Sequence, residues 1–306
     1  MSTFFKALQQ AERDRALAEP ARRDTPLDSE LRLSAPTARQ EIPLVDTAKE
    51  AGGAPPEGVE EHLVSLLRPA SLEAEHYRAL RHLVEQADRS ANLTIVAVSA
   101  PAEGDGKTLT AINLAGALAQ APDIRVLLVD TDLRRPAVAQ RLGLAVADGP
   151  GLVDAILSPT LALENVARPC PPFNLSVVPA GRASGIPYEL LKSPRLGELL
   201  DAARRQYDHV VVDTPPLVPI PDCQIIAKSV DGFLVVVSAH KTPRKLVEES
   251  LRSVKPDKLV GIVFNKDDRS MARYYYAADR RSRNGNGARR WIERMRSTGS
   301  WARARR

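Results

Sequence analysis

The chain has 306 residues, 43% of them apolar and only 4% aromatic, with a formal net charge of +5. That length admits one or two domains with a core of Val, Leu, Ile and Ala. No apolar run approaches the ~18 residues of a membrane span and the polar start lacks a secretory leader, so a cytosolic chain is expected.

In chain order, residues 2–18 place Phe4, Phe5 and Leu8 on one side of a short helix, a frayed terminus or a docking element for a partner or membrane surface. From Glu19 to Pro56 there are six prolines and no aromatic residue. Such a stretch buries too little apolar surface to offset its ordering entropy, so a disordered linker is expected. Ser71 offers an N-cap oxygen, and Glu73 and Glu75 follow in the first helical turn. In that helix Leu72, Leu80, Leu83 and Val84 fall on one face, and Glu75, Arg78 and Arg81 on the opposite one.

Apolar runs at Ile95–Val98, Val126–Val129, Leu175–Pro179, Val210–Val212, Phe233–Ser238 and Leu259–Phe264 predict strands. They alternate with helical stretches, which predicts an α/β fold with a doubly wound, mainly parallel sheet. The expected division is an N-terminal segment 1–69, a domain 70–268 and a polar, mobile tail 269–306. The two cysteines, Cys170 and Cys223, have no metal-ligand spacing and read as reduced structural thiols.

Three of the predicted strands run directly into loops rich in chemistry, and a parallel sheet gathers such loops at its carboxyl edge. The first is Gly104-Asp105-Gly106-Lys107-Thr108, continuing to Leu109. It matches the end of a Walker A loop, in which backbone N–H groups wrap phosphates, Lys107 neutralises their charge and the Thr108 hydroxyl binds Mg²⁺. A helix starting near Thr108 would aim its N-terminus at the anion. Pro101 stands where the motif's first glycine belongs. The second loop is Asp130-Thr131-Asp132-Leu133-Arg134, and the third Asp213-Thr214-Pro215-Pro216. Strand alternation would turn Asp130 and Asp132 to the same side. Phosphoryl transfer needs a metal to neutralise developing charge and a group to accept the attacking hydroxyl's proton, two jobs that paired carboxylates can divide. Asp213, ending an apolar strand, suits Mg²⁺ or its water.

With these motifs in order, the chain resembles the bacterial tyrosine kinases over roughly residues 70–280. Val129–Arg134 looks like their Walker A′ motif and Val212–Pro216 like their Walker B. The resemblance implies a P-loop fold related to MinD and ParA ATPases, and autophosphorylation on tyrosine in the control of capsular or extracellular polysaccharide export. It implies ATP and Mg²⁺ as cofactors and Gly104–Leu109 as the nucleotide loop. By the same resemblance Asp130 is the base, Asp132 and Asp213 serve the metal with Thr108, and Lys107 and Arg134 complete the catalytic set. Glu75, Arg78 and Arg81 match the family's E-x-x-R-x-x-R motif, which holds subunits in a ring. Tyr274-Tyr275-Tyr276, half the tyrosines in the chain, match its C-terminal tyrosine cluster, though the cluster is short. The family further implies a separate membrane co-polymerase or chain-length protein that recruits and activates a cytoplasmic kinase.

Residues 280–306 hold ten Arg and one Glu, leaving residues 1–279 at −4. Trp291, Ile292 and Met295 among these arginines suit an anionic membrane surface. An acidic partner or nonspecific nucleic acid fits the charge equally, and no specific nucleic acid is expected. Three rival readings remain: a positioning ATPase of the MinD/ParA type, a GTP-binding protein through the N-K-x-D string at Asn265–Asp268, and a non-catalytic scaffold for polysaccharide export.

Overall fold

The computed structural model describes residues 58–91, 93–145, 149–182, 185–218 and 220–267. The expected helix at 2–18, the linker at 19–56, Asp268, the tyrosine cluster and the basic tail lie outside the described residues. Among the described residues seven strands form one sheet: β1 (Ile95–Ser99), β2 (Val126–Asp130), β3 (Arg168–Pro169), β4 (Ser176–Val178), β5 (His209–Asp213), β6 (Gly232–Ser238) and β7 (Leu259–Asn265). Their order is β3-β4-β2-β5-β1-β6-β7, parallel throughout except for β3 against β4. β3 was not expected. It is two residues long, and Pro169, which has no N–H for a ladder, is tolerated there because the strand is an edge.

Alternation along the buried strands feeds two apolar layers. Ile95, Ala97, Leu127, Val129, Val210 and Val212 face one side. Val96, Val98, Val126, Leu128 and Val211 face the other. The first layer takes Leu196, Leu199, Leu200 and Ala203 of a helix at Pro194–Gln206. The second takes helix α1 (Leu72–Ala91) and helix α2 (Lys107–Leu118). Each fully buried Leu, Ile or Val contributes about 1.5–3 kcal/mol. The strand ends that carry the loops are therefore anchored from both faces.

α1 starts as expected, with Ser71 Oγ accepting from Ala74 N at 3.2 Å. Its buried face is Ala74, Leu80 and Val84, whereas Leu72 and Leu83 are 47% and 59% exposed. The reason is angular: eleven residues bring a helix round to within about 20°. Leu72 and Leu83 thus share a stripe of their own, beside the one that packs. The charged face also differs from expectation, because its arginines lean across to α2. Arg81 donates to Ala117 O at 2.9 Å and to Glu85 at 2.6 Å. Arg78 donates to Pro69 O at 2.6 Å, to Gln120 Oε1 at 3.4 Å and to Glu75.

Residues 58–69, assigned by sequence to the segment before the domain, pack onto α2. Leu63 is fully buried. Ser65 N donates to Asn113 Oδ1 at 2.9 Å, and Asn113 Nδ2 donates to His62 O at 3.1 Å. Gly116 permits this approach, since a Cβ there would meet Leu66 at 2.7 Å. Among the described residues no helix is long and apolar enough to cross a membrane.

Candidate active site

The site lies at the carboxyl ends of β1, β2 and β5. β1 leads into the loop Ala100–Gly106, and α2 begins at Lys107. Gly104 and Gly106 sit at φ +80° and +100°, where a side chain is strained. A Cβ on Gly106 would also fall 2.0 Å from Asn265 Nδ2. The first N–H groups of α2 have no partner within the helix and point out of its N-terminus, as an anion requires.

The loop is held by side chains from the far side of the sheet. Asn265 Nδ2 donates to Asp105 O at 2.9 Å, and Lys266 Nζ to Gly104 O at 2.8 Å. Thr242 Oγ1 donates to Asp105 Oδ1 at 2.7 Å, and Ala102 N to Asp105 Oδ2 at 3.1 Å. The Asp105 carboxylate is thereby an internal brace, buried to 2% exposure, and only its backbone N–H remains to meet a phosphate. Leu109 is a half-buried packing residue against the second layer. The sequence flagged Asn265 and Lys266 only as a guanine-reading string. Thr242 carried no signal at all.

Lys107 Nζ donates to Asp132 Oδ2 at 2.7 Å and to Thr108 Oγ1 at 3.3 Å, and stands 3.8 Å from Asp213 Oδ1. Thr108 Oγ1 donates to Asp213 Oδ2 at 2.7 Å. Burial disfavours the Lys107 ammonium, but the charges of Asp213 and Asp132 prevail and hold its pKa above the usual lysine value.

Asp130 and Asp213 are direct neighbours in register across β2 and β5. They do different things. Asp130 Oδ1 accepts from Asp132 N, and Oδ2 from Ala137 N and Val138 N, each at 3.1 Å. β2 stops at Asp130, so strand alternation does not extend to Asp132, which lies in the loop beyond. Asp132 turns to Lys107, and its Oδ1 accepts from Arg135 N at 3.1 Å. Arg134 is held apart from this group. Its guanidinium grips the fully buried Asp222 through two bonds of 2.8 and 3.2 Å, tying the second acidic loop to the chain after the third. Asp222 gave no sequence signal, because only the fold brings it to Arg134.

Burial pushes Asp130 up to about 8, helped by the charge of Asp213 and opposed by Val138 N–H. Burial likewise raises Asp213 to about 6, against the pull of Lys107 and the Thr108 hydroxyl. Three carboxylates share this enclosure with one ammonium. Asp213 Oδ1 is buried without a hydrogen-bond partner. A hard divalent cation fits that vacancy in the bonding, and Mg²⁺ is characteristically held by one or two carboxylates, a hydroxyl, phosphates and water. Among the described residues no group of three His, Cys, Asp or Glu forms a full protein cage for a metal. On the β6–β7 side of the loop lies a cleft of ≈ 390 Å³, with Ser238, Thr242, Arg244, Val247 and Phe264 in its walls.

Comparison with known proteins gives a consistent picture. A family model described as an AAA domain matches residues 93–255. The tyrosine-protein kinase YwqD of Bacillus subtilis (strain 168) is 32% identical over 210 residues, 68% of this chain and 86% of that protein. The succinoglycan biosynthesis transport protein ExoP of Rhizobium meliloti (strain 1021) is 32% identical over 205 residues, 65% of this chain but only 26% of that protein. Among solved structures, the kinase domain of the Escherichia coli tyrosine kinase ETK superposes with a TM-score of 0.63 at 27% identity, covering 68% of this chain and 81% of that one.

Proposed function

The chain belongs to the family of bacterial tyrosine kinases, and on that premise we propose that it is an ATP- and Mg²⁺-dependent autokinase of its own Tyr274–Tyr276 cluster. The observation that carries this reading is the enclosure of Lys107, Thr108, Asp130, Asp132 and Asp213, with Asp213 Oδ1 buried beside the loop and accepting no hydrogen bond. ATP supplies the phosphoryl group, and Mg²⁺ neutralises the charge that develops on it in transfer.

The residues divide the work as follows. The N–H groups of Gly104–Leu109 receive the phosphates, and Lys107 balances their charge. Thr108, Asp132 and Asp213 would hold Mg²⁺. Asp130 accepts the proton of the attacking phenol. Three of its roughly four lone-pair sites are taken by backbone N–H groups, which fixes the carboxylate and leaves one site for the proton. A base raised towards the working pH is suited to proton transfer. Arg134 acts through Asp222, orienting the second loop. The cleft beside Thr242 and Phe264 offers room for the base of the nucleotide.

Transfer to a tail is intermolecular in this reading. Glu75, Arg78 and Arg81 of α1 join copies into a ring, so that each tail enters a neighbouring site. The relative named as a succinoglycan biosynthesis transport protein supports a place in polysaccharide polymerisation and export. The partner is a separate membrane co-polymerase that recruits the kinase to the inner face of the membrane. Anionic lipid contact by the Arg-rich tail would reinforce that recruitment.

The test is mass spectrometry of the purified chain after incubation with Mg²⁺ and ATP. Trypsin cuts after Arg273 and Arg280, releasing the tyrosine cluster as one peptide. Phosphate on that peptide, absent in Lys107→Met, is the expected result. ATP hydrolysis with an unmodified peptide, in the presence of host membranes, would favour a positioning ATPase instead.

A further inference from the structure

Residues 58–60 are fastened to the C-terminal end of the short helix Val138–Arg141. Glu60 N donates to Arg141 O at 2.9 Å, and the Arg141 guanidinium pairs with the Glu60 carboxylate. Val59 and Leu142 form an antiparallel bridge. Gly58, at φ +83°, lies so close that a Cβ would stand 3.3 Å from Gly143 Cα. The other end of the same one-turn helix presents the two N–H groups that hold Asp130 Oδ2. Val138 and Leu142 are both buried, at 0% and 3% exposure, so the turn is braced by packing.

The strap then continues into the second half of the site. His62 and Ser65 grip Asn113 in the middle of α2, the helix whose first residues are Lys107 and Thr108. One stretch, 58–65, therefore touches both the helix that carries the phosphate-binding lysine and the helix that fixes the Asp130 carboxylate. The Arg141 Nε is buried without a hydrogen-bond partner. Glu60 is thus the side chain that orients the guanidinium.

We infer that this strap sets the distance between Asp130 and Lys107, and that Glu60 and Arg141 are positioning residues for phosphoryl transfer. The inference rests on the reading of Asp130 as proton acceptor.

The test uses the full chain. Glu60→Gln and Arg141→Gln are compared with Arg141→Lys, which keeps the charge, and with Asp130→Asn. Phosphotyrosine formation is followed at saturating ATP, alongside the KM for ATP and the melting temperature. In the two Gln variants kcat should fall about tenfold through misplacement of the acceptor, with KM for ATP unchanged within about twofold. Arg141→Lys should retain most of the rate. Unchanged kcat in both Gln variants, with Asp130→Asn inactive, would overturn the strap and leave the base assignment standing. Loss of ATP affinity in step with kcat would also overturn it, because the effect would then be structural. Normal transfer by Asp130→Asn would overturn the base assignment and the strap together.

Discussion

The carboxyl edge of the sheet is divided at β1. On the β2–β5 side the strand ends and the loop beyond carry buried charge: Asp130, Asp132 and Asp213 are 0–2% exposed, and the last two pair with a single ammonium. On the β6–β7 side Thr242, Asn265 and Lys266 carry neutral or solvated groups that donate to the backbone and brace of the phosphate loop. One side gathers buried charge at a cost in stability, the other sets geometry at little cost. The difference teaches that a phosphate loop is not self-supporting. Its glycines make the required φ values accessible, and side chains some 160 residues away select them.

The division can be broken most directly at Asp213. Asp213→Asn should lower phosphotyrosine formation by at least about 100-fold, as removal of a charge aimed at the transition state does. Retention of more than a tenth of the wild-type rate would remove the β2–β5 side from the chemistry.

A second test is pH. Asp130 and Asp213 are pushed up to about 8 and about 6 from an ordinary value of 3.8. Between about pH 4 and pH 8 the folded chain therefore binds more protons than the unfolded one, and stability falls as pH rises through that window. Melting temperatures of the ligand-free protein should decline from about pH 5.5 to about pH 8.5. Asp130→Asn should flatten the decline at its upper end. An unchanged slope in that variant would mean that the buried carboxylate does not dominate this titration.

Smaller effects are expected on the other side. Asn265→Ala removes one part-buried bond to the loop and should weaken nucleotide binding about tenfold, with kcat at saturation little changed. Lys266→Ala removes an exposed bond and should cost no more than about twofold. A fall in kcat for Asn265→Ala comparable with that for Asp213→Asn would erase the distinction between the two sides.

The parts of this molecule that are legible in sequence are those whose chemistry is local. Lys107 and Thr108 announce themselves because a glycine-rich loop after an apolar run has few other uses. Asp130 and Asp213 are visible as charges that end buried strands. The individual tasks of the carboxylates were less legible, since Asp130 spends three lone pairs on backbone N–H groups that only the fold delivers. Asp222, Thr242, Asn113 and Glu60 had no readable signal, because each makes contacts to residues distant in sequence. The exposed stripe of Leu72 and Leu83 was misread for a related reason. Helical spacing groups residues by angle, but the neighbour across the interface decides which of two adjacent stripes is buried.

β5, residues 209–213, lies between β1 and β2, residues 95–99 and 126–130. During synthesis both flanking strands leave the ribosome well before the strand that must separate them. Neither can pair with the other in the native sheet, so each waits with an open edge while the intervening chain is made. Such non-local closure is slow and leaves apolar edges exposed to other chains. A fragment that stops short of residue 209 should therefore aggregate and bind no nucleotide, although it contains the entire glycine-rich loop. The phosphate-binding stretch is written early in this chain and becomes usable late.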